Sequence, residues 1–499
     1  MAKLKAVSAN CPSCGAGLPV MPGVPQITCR YCQNVITVEM RSPPPEVRPF
    51  GTPGAIPSRT LYIDPKVAQA AQAGGRVVLA IVLVTTVLPL VLVFGGIFGG
   101  GCIRSCTSAI HPYPIACGLN DDVTVSGNWE GAGPVVTEAG VNCKIHIKNA
   151  KIKAPTFLTK ASTNFELTLE NTTIETTDTM FKLDSNPKVH LINSTLVSQG
   201  LVFDADSNLL IESEGSTIES KGGTAIKAKY NLKLHATNTK VRGKKAAIET
   251  DSNFELTLKK GSEITATDAR AIKATSSMKL EAEGGKIAGG LGAIVTSSGL
   301  TISGTGLTIS TPKDKAIEVT SGLKIDLTDS SITSTADEAI EGDSGMELVL
   351  ANTTVQGRIA IETKSGLKIK ASKKSRIVGA AGNGITTTSN ADISLADASI
   401  EGATMALKTD SSARLKLGPG SRIAGKRAGI YSESGLTIDG TNTSIEGGAG
   451  PGLRSTFVGN ITIHDSVIKG TPGIQIERAP TPMDLANTRV DGGQVVSKP

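Results

Sequence analysis

Aromatic residues are scarce in this chain, only 3% of 499 residues with a single tryptophan, and histidine numbers five. That shortage leaves neither an aromatic-lined ligand groove nor a histidine-based centre well supplied. His111, His146, His190, His235 and His464 are scattered without a metal-ligand spacing and are expected to be mostly outward strand residues. Charge of one sign is lacking too. A net charge of +6 is a modest excess on so long a chain and gives no case for nucleic acid as a partner. Met1-Ala2-Lys3-Leu4-Lys5 is not followed by the apolar core of a cleavable signal peptide, so the N-terminus is expected to be retained. The glycine-rich calcium nonapeptide is absent in repeated form, which removes one class of solenoid.

Eight cysteines are present, in two sets separated by an apolar run. Cys11-x-x-Cys14 and Cys29-x-x-Cys32 can place four thiolates tetrahedrally around a structural Zn²⁺. Short strands are expected at 18–20, 26–28 and 35–38. With four ligands and no open position, the metal would act as a staple and supply much of the folding free energy of so small a unit. A redox-active CxxC pair is the alternative. Residues 9–39 resemble the short zinc ribbons at the N-termini of many bacterial membrane proteins, which implies a docking or regulatory module.

Pro43-Pro44-Pro45 opens a proline-rich linker, followed by a short helix expected at 64–73. Residues 77–98 carry no charge, and as a helix they would span about 33 Å, enough for a bilayer core of about 30 Å. Arg59, Lys66 and Arg76 precede this run and only Arg104 follows closely, which places the N-terminus in the cytoplasm. The first four cysteines would then stay reduced, while Cys102, Cys106, Cys117 and Cys143 would face an oxidising exterior. Four cysteines permit three pairings. The pairing preferred is Cys117 with Cys143, closing the first turn around Trp129, and Cys102 with Cys106 near the membrane.

Beyond residue 144 an apolar-x-apolar unit recurs every 20 to 25 residues, starting at Ile145, Phe165, Val189, Leu209, Leu232, Phe254, Met278, Leu300, Leu323, Met346, Leu367, Ala391, Ala413, Leu436 and Ile461. This period marks a solenoid of three short strands per coil. Asn208, Asn253, Gly299, Gly322, Gly345, Gly366, Asn390 and Gly435 precede successive units, and these residue types tolerate a left-handed bend. Outward residues of the first strand run Lys233, Glu255, Lys279, Thr301, Lys324, Glu347, Lys368, Asp392, Arg414, so unlike charges mostly neighbour one another. Asn171, Asn352 and Asn442 match the glycosylation acceptor pattern but recur at one coil turn, where asparagine has a conformational reason to stand.

These coils resemble the right-handed parallel β-helices of the pectin-lyase-like superfamily, which includes polysaccharide lyases and hydrolases, adhesins and tail-spike proteins. The fold expected is therefore all-β: a zinc ribbon at 1–41, a linker and juxtamembrane helix at 42–75, a transmembrane helix at 76–101, a cysteine-containing connector and cap at 102–144, a right-handed parallel β-helix at 145–491 and a tail at 492–499. The ligand face expected is a column of Glu318, Glu341 and Glu362 with Asp343 beside it, able to share Ca²⁺ or to serve polysaccharide cleavage, although a solvated acidic stripe explains the same residues. No basic column completes a lyase site. The function expected is a single-pass envelope protein that displays a binding or structural surface to a glycan or protein outside and docks a cytoplasmic protein through its ribbon. A membrane-tethered polysaccharide lyase or hydrolase is the alternative.

Overall fold

The computed structural model describes residues 113–479 and 482–496, together with four short strands before residue 38. Ser8–Asn10 pairs antiparallel with Gly17–Pro19, and Gln26–Thr28 pairs antiparallel with Val35–Thr37. Three of these fall where strands were expected, and Ser8–Asn10 is an additional one. The cysteines at 11, 14, 29 and 32, the apolar run at 77–98, and Cys102 and Cys106 lie outside the described residues. Among the described residues no helix is long and apolar enough to cross a membrane.

From Ile115 onward the chain winds as a parallel β-solenoid. One sheet stacks seventeen short strands, one per coil, from Trp129–Glu130 to Arg489–Asp491. At about 4.8 Å per step this gives a stack roughly 77 Å long. Its coils run beyond 145–491 at both ends: Asp122–Ser126 already pairs in register with Lys144–Lys148, and Gln494–Val496 pairs with Ile474–Arg478.

Why the coil closes as it does is visible in the unit around Phe254. The strand Ala246–Lys259 alternates buried and outward residues on both sides of Asn253, whose φ of 56° bends it without ending it. Gly261, with φ 84°, turns the chain into the short strand Glu263–Ala266, and a third turn leads into Arg270–Glu283. Two of the three strands expected per coil are thus one bent strand from Ala246 to Leu417, and separate only near the ends. Glycine is compulsory at some third corners. A Cβ on Gly402 or Gly425 would collide with the carbonyl oxygen three residues on.

The register corrects three of the expected unit starts. Ile145 pairs with Leu167, Leu167 with Val189, and Ile438 with Ile461, so Ile145, Val189 and Ile461 stand two residues later in the coil than Phe165, Leu209 and Leu436. Apolar alternation has period two and cannot distinguish a residue from the one two places on. The left-handed corner residue sets the frame instead, and in two of these units Cys143 and Pro187 take the place of the usual aliphatic start.

Inside the coils the core is a column of aliphatic and aromatic side chains. Phe157, Phe181 and Phe203 are fully buried and stack in sequence at centroid separations of 4.8 and 5.0 Å. Burial of each such ring contributes about 1.5–3 kcal/mol. Backbone amides at the second corner, which no strand satisfies, are met by a buried column of hydroxyls. The Thr172 amide donates to Ser194 Oγ at 3.1 Å and the Ser194 amide to Ser216 Oγ at 2.9 Å, while Ser194 Oγ donates to the Ile192 carbonyl.

The first corner carries a second ladder, on the outside. Asn142 donates from Nδ2 to Asn120 Oδ1, and Asn164, Asn186, Asn208, Asn231 and Asn253 each donate to the asparagine one coil earlier, at 2.7–3.1 Å. All seven have φ between 55° and 60°. From Ser277 on, serine and glycine replace most of them at the same left-handed corner.

Candidate functional site: charged columns on the solenoid face

The acids singled out by sequence do stack. Glu318 pairs in register with Glu341, and Glu341 with Glu362, so their side chains rise on successive coils about 4.8 Å apart. Above and below them the column continues through Lys273 and Val295 on one side and Thr386 and Lys408 on the other.

Their neighbours are bases. Arg270 pairs with Glu318 and, at 3.3 Å, with Asp314. Lys315 lies 2.9 Å from Glu341, and Lys364 lies 2.8 Å from Asp343. The acidic face is therefore an ion-pair lattice. A calcium ion there would have to displace Lys315 and Arg270 from the oxygens it needs, and among the described residues no three His, Cys, Asp or Glu side chains are grouped to hold a metal ion.

A residue the sequence reading missed lies beside this column. Glu338 precedes the outward Glu341 by three and reads as one more surface acid, yet its side chain is 6% exposed and pairs with Arg358. Burial pushes its carboxyl up to about 7, helped by a hydrogen bond with Asp337, which is itself held below the usual range. Arg358 also reaches Asp337 at 3.3 Å. The missed signal is positional: Glu338 occupies the third corner one residue before the buried Ala339, where the chain turns inward.

Three histidines also meet where sequence suggested scatter. Thr168 pairs with both His146 and His190, and Glu212 pairs with both His190 and His235, which sets all five in one column of the long-strand sheet. A Glu212 carboxylate oxygen lies 2.9 Å from His190 Nδ1, and the other stands 3.9 Å from His235 Nδ1. Neighbouring columns on this face are equally ordered, with Lys144–Glu166 at 3.2 Å, Lys148–Glu170 at 2.8 Å and Lys233–Glu255 at 2.9 Å. The alternation expected from Lys233 to Arg414 is present residue for residue in the pairing.

A groove of about 650 Å³ crosses the short-strand face near the C-terminal end, floored by Gly402, Gly425 and Gly447. Its wall carries alternating charges, Glu401–Arg422 at 3.7 Å and Arg422–Glu446 at 2.8 Å, and Arg376, outside the lining, reaches Glu401 at 3.3 Å. The Arg422 guanidinium holds the Glu446 carboxyl below its usual range. Such a groove can seat a polar, extended chain along the coils. It lacks the enclosed, water-excluding geometry in which charge becomes catalytic.

At the N-terminal end Cys117 and Cys143 form a disulfide with a Cα–Cα distance of 5.8 Å. Tyr113 lies against Trp129 at 5.9 Å, and burial raises its hydroxyl to about 12. Together they close the first coil.

No family model, no curated protein and no solved structure matches the chain.

Proposed function

We propose that the chain is a single-pass envelope protein that presents its β-solenoid outside the cytoplasm as an extended polar binding surface, with the N-terminal region as a zinc ribbon docking a cytoplasmic protein. The observation that carries the reading is the face itself: coil after coil of outward charges in register, interlaced as ion pairs and uninterrupted by any long insertion between Leu209 and Ile476. A flat lattice of this kind suits recognition of a repeating or extended ligand, a glycan or a protein, over many weak contacts. The paired state of Glu318, Glu341 and Asp343 favours binding over polysaccharide cleavage, which needs a free base or nucleophile. The Cys117–Cys143 bond supports an oxidising location.

The ribbon reading rests on two antiparallel pairs, Ser8–Asn10 with Gly17–Pro19 and Gln26–Thr28 with Val35–Thr37, each bracketing one CxxC in sequence. Cys11, Cys14, Cys29 and Cys32 would hold the metal. The span at 77–98 would be the anchor, and the solenoid would have the right-handed winding of the pectin-lyase-like superfamily. The solenoid would be periplasmic or extracellular, so protease added to spheroplasts tests the topology: digestion of the solenoid with survival of the N-terminal 76 residues is expected, and protection of the solenoid overturns it. Metal analysis of the purified chain should give one zinc per chain, lost in a Cys11→Ser, Cys29→Ser variant. A glycan array and crosslinking in native membranes test the binding role, and finding no exterior ligand by either method would reduce the solenoid to a passive stalk.

A further inference from the structure

We propose that the short-strand face around Lys240 binds a polyol phosphate polymer, a phosphodiester chain in which three carbons separate successive phosphates. The inference rests on the reading of the solenoid as an extended binding surface and names the ligand for one stretch of it. Between 221 and 260 the chain holds ten basic residues and only three acidic ones, a larger surplus than the +6 of all 499 residues. The excess is therefore not diluted along the rod but gathered on neighbouring coils.

Part of it belongs to the ion-pair lattice of the long-strand face, where Lys229 meets Asp206 and Lys233 meets Glu255. The short-strand face differs. Lys240 and Arg242 point outward from Lys240–Gly243, and Lys244 follows at the third corner with its amide bonded to the Ser220 carbonyl at 3.1 Å. Register sets Gly243 beside Ser220, so Lys244 stands next to Lys221, like charge beside like charge, with Lys245 adjoining. Such neighbours repel, and a bound anion would relieve the repulsion. Glu219 stands beside Arg242 one coil earlier, Glu263 beside Lys240 one coil later and 4.0 Å from Arg242, and Asp268 lies at the corner one coil on. Among the described residues, even so, no ion pair reaches Lys221, Lys240, Lys244 or Lys245.

Spacing selects the ligand. Outward residues of a strand are two residues apart, which sets Lys240, Arg242 and Lys244 in a line at steps of about 6.6 Å. Two residues are six backbone bonds. A polyol phosphate with three carbons between phosphates also repeats every six bonds, and extended it advances about 6.6–7.2 Å per unit. Three successive phosphates thus meet three successive cations. An acidic peptide could match the step, but these strands have neighbours on both sides and offer it no edge to pair with. No aromatic side chain stands on these strands to stack the bases of a single-stranded nucleic acid. Lysine outnumbers arginine here, which suits point charges rather than bidentate grip on planar carboxylates.

The test is calorimetric binding of synthetic poly(glycerol phosphate) to the purified full chain in detergent, over a salt series. Affinity should fall about tenfold to a hundredfold between about 50 and about 200 mM salt, as neutralisation of about three to five phosphates requires. Lys240→Gln, Lys244→Gln should weaken binding about tenfold and flatten the salt dependence. Lys244→Gln, Thr267→Lys keeps the net charge but moves one cation off the row, and should lose a similar amount. Unchanged affinity in either variant overturns the proposal, since attraction to net charge alone survives the second. On wild type, bound polymer should protect Lys221, Lys240, Lys244 and Lys245 from acetylation, read by mass spectrometry, and absence of protection there overturns it as well. Polygalacturonate or single-stranded DNA binding as tightly at equal charge would replace the ligand class. Failure of the polymer alongside a glycan-array ligand removes this inference and leaves the binding surface, whereas no ligand of any kind removes both.

Discussion

Replacing Asn208 separates the two things an asparagine does at the first corner. In the native coil it sits at φ 57°, donates to Asn186 Oδ1 at 2.7 Å and accepts from Asn231 Nδ2 at 2.7 Å. Asn208→Gly removes both side-chain bonds but keeps an unstrained left-handed backbone. The partners are exposed and water replaces the lost bonds in part, so the expected cost is about 0.5–1 kcal/mol. Asn208→Ala loses the same bonds and adds the penalty of an L-side chain in the left-handed region, about 1–2 kcal/mol, for about 1.5–3 kcal/mol in all. Because solenoid coils contact only their neighbours, the loss should be local. Hydrogen exchange resolved along the chain should therefore show amides of the strands at 188–192, 210–214 and 233–237 opening several-fold faster in the glycine variant and about ten- to a hundredfold faster in the alanine variant, with the coils beyond 367 unchanged. Equal effects from glycine and alanine would refute the conformational argument. No local effect from either would refute the ladder.

Three further outcomes follow from the same structure. Phe181→Ala, at the centre of the buried Phe157–Phe181–Phe203 stack, should destabilise its coils by about 3–5 kcal/mol, read as loss of exchange protection over 165–214, whereas Phe181→Leu should cost distinctly less. Replacing Cys117 and Cys143 together by serine opens a covalent loop with a sequence separation of 26, worth about 3–4 kcal/mol, so protease should nick the chain before residue 150 while the later coils stay intact. Glu338 carries a pH signature. Its folded carboxyl titrates at about 7 against an ordinary 4.5, so the folded state holds the proton more tightly, and this contribution is full below pH 4.5 and lost as pH rises through 7. Glu338→Gln should remove that part of the slope, by at most about 3 kcal/mol, leaving thermal stability flatter between pH 5 and 8 than in wild type.

The repeat was legible because each coil must bury the same edge, so Leu323, Ile325 and Leu327 recur as Met346, Leu348 and Leu350, with Gly322 and Gly345 at the bend. Local chemistry alone determined the parallel coils, the left-handed corners and the column from Lys233 to Arg414. Frame was harder: a period of two hid a slip at Ile145, Val189 and Ile461 that only pairing resolves. Sequence also placed Glu318, Glu341 and Glu362 on one face, because they share one strand position. It had no means of seeing that Lys315, two residues before the strand that begins at Ile317, folds back onto Glu341, or that Arg270 comes to Glu318 from two coils away.

The turns obey no single period, and there tertiary structure decided what the sequence could not. Glu338 became a buried acid under Arg358 because closure of the coil brings residues of different units into contact, whereas the column of His190, Glu212 and His235 was hidden only by the slip of frame at Val189. A strand's alternation is a property of its own backbone and can be read from one segment. The partner of a side chain across a coil depends on where several variable turns, summed around the solenoid, return the chain.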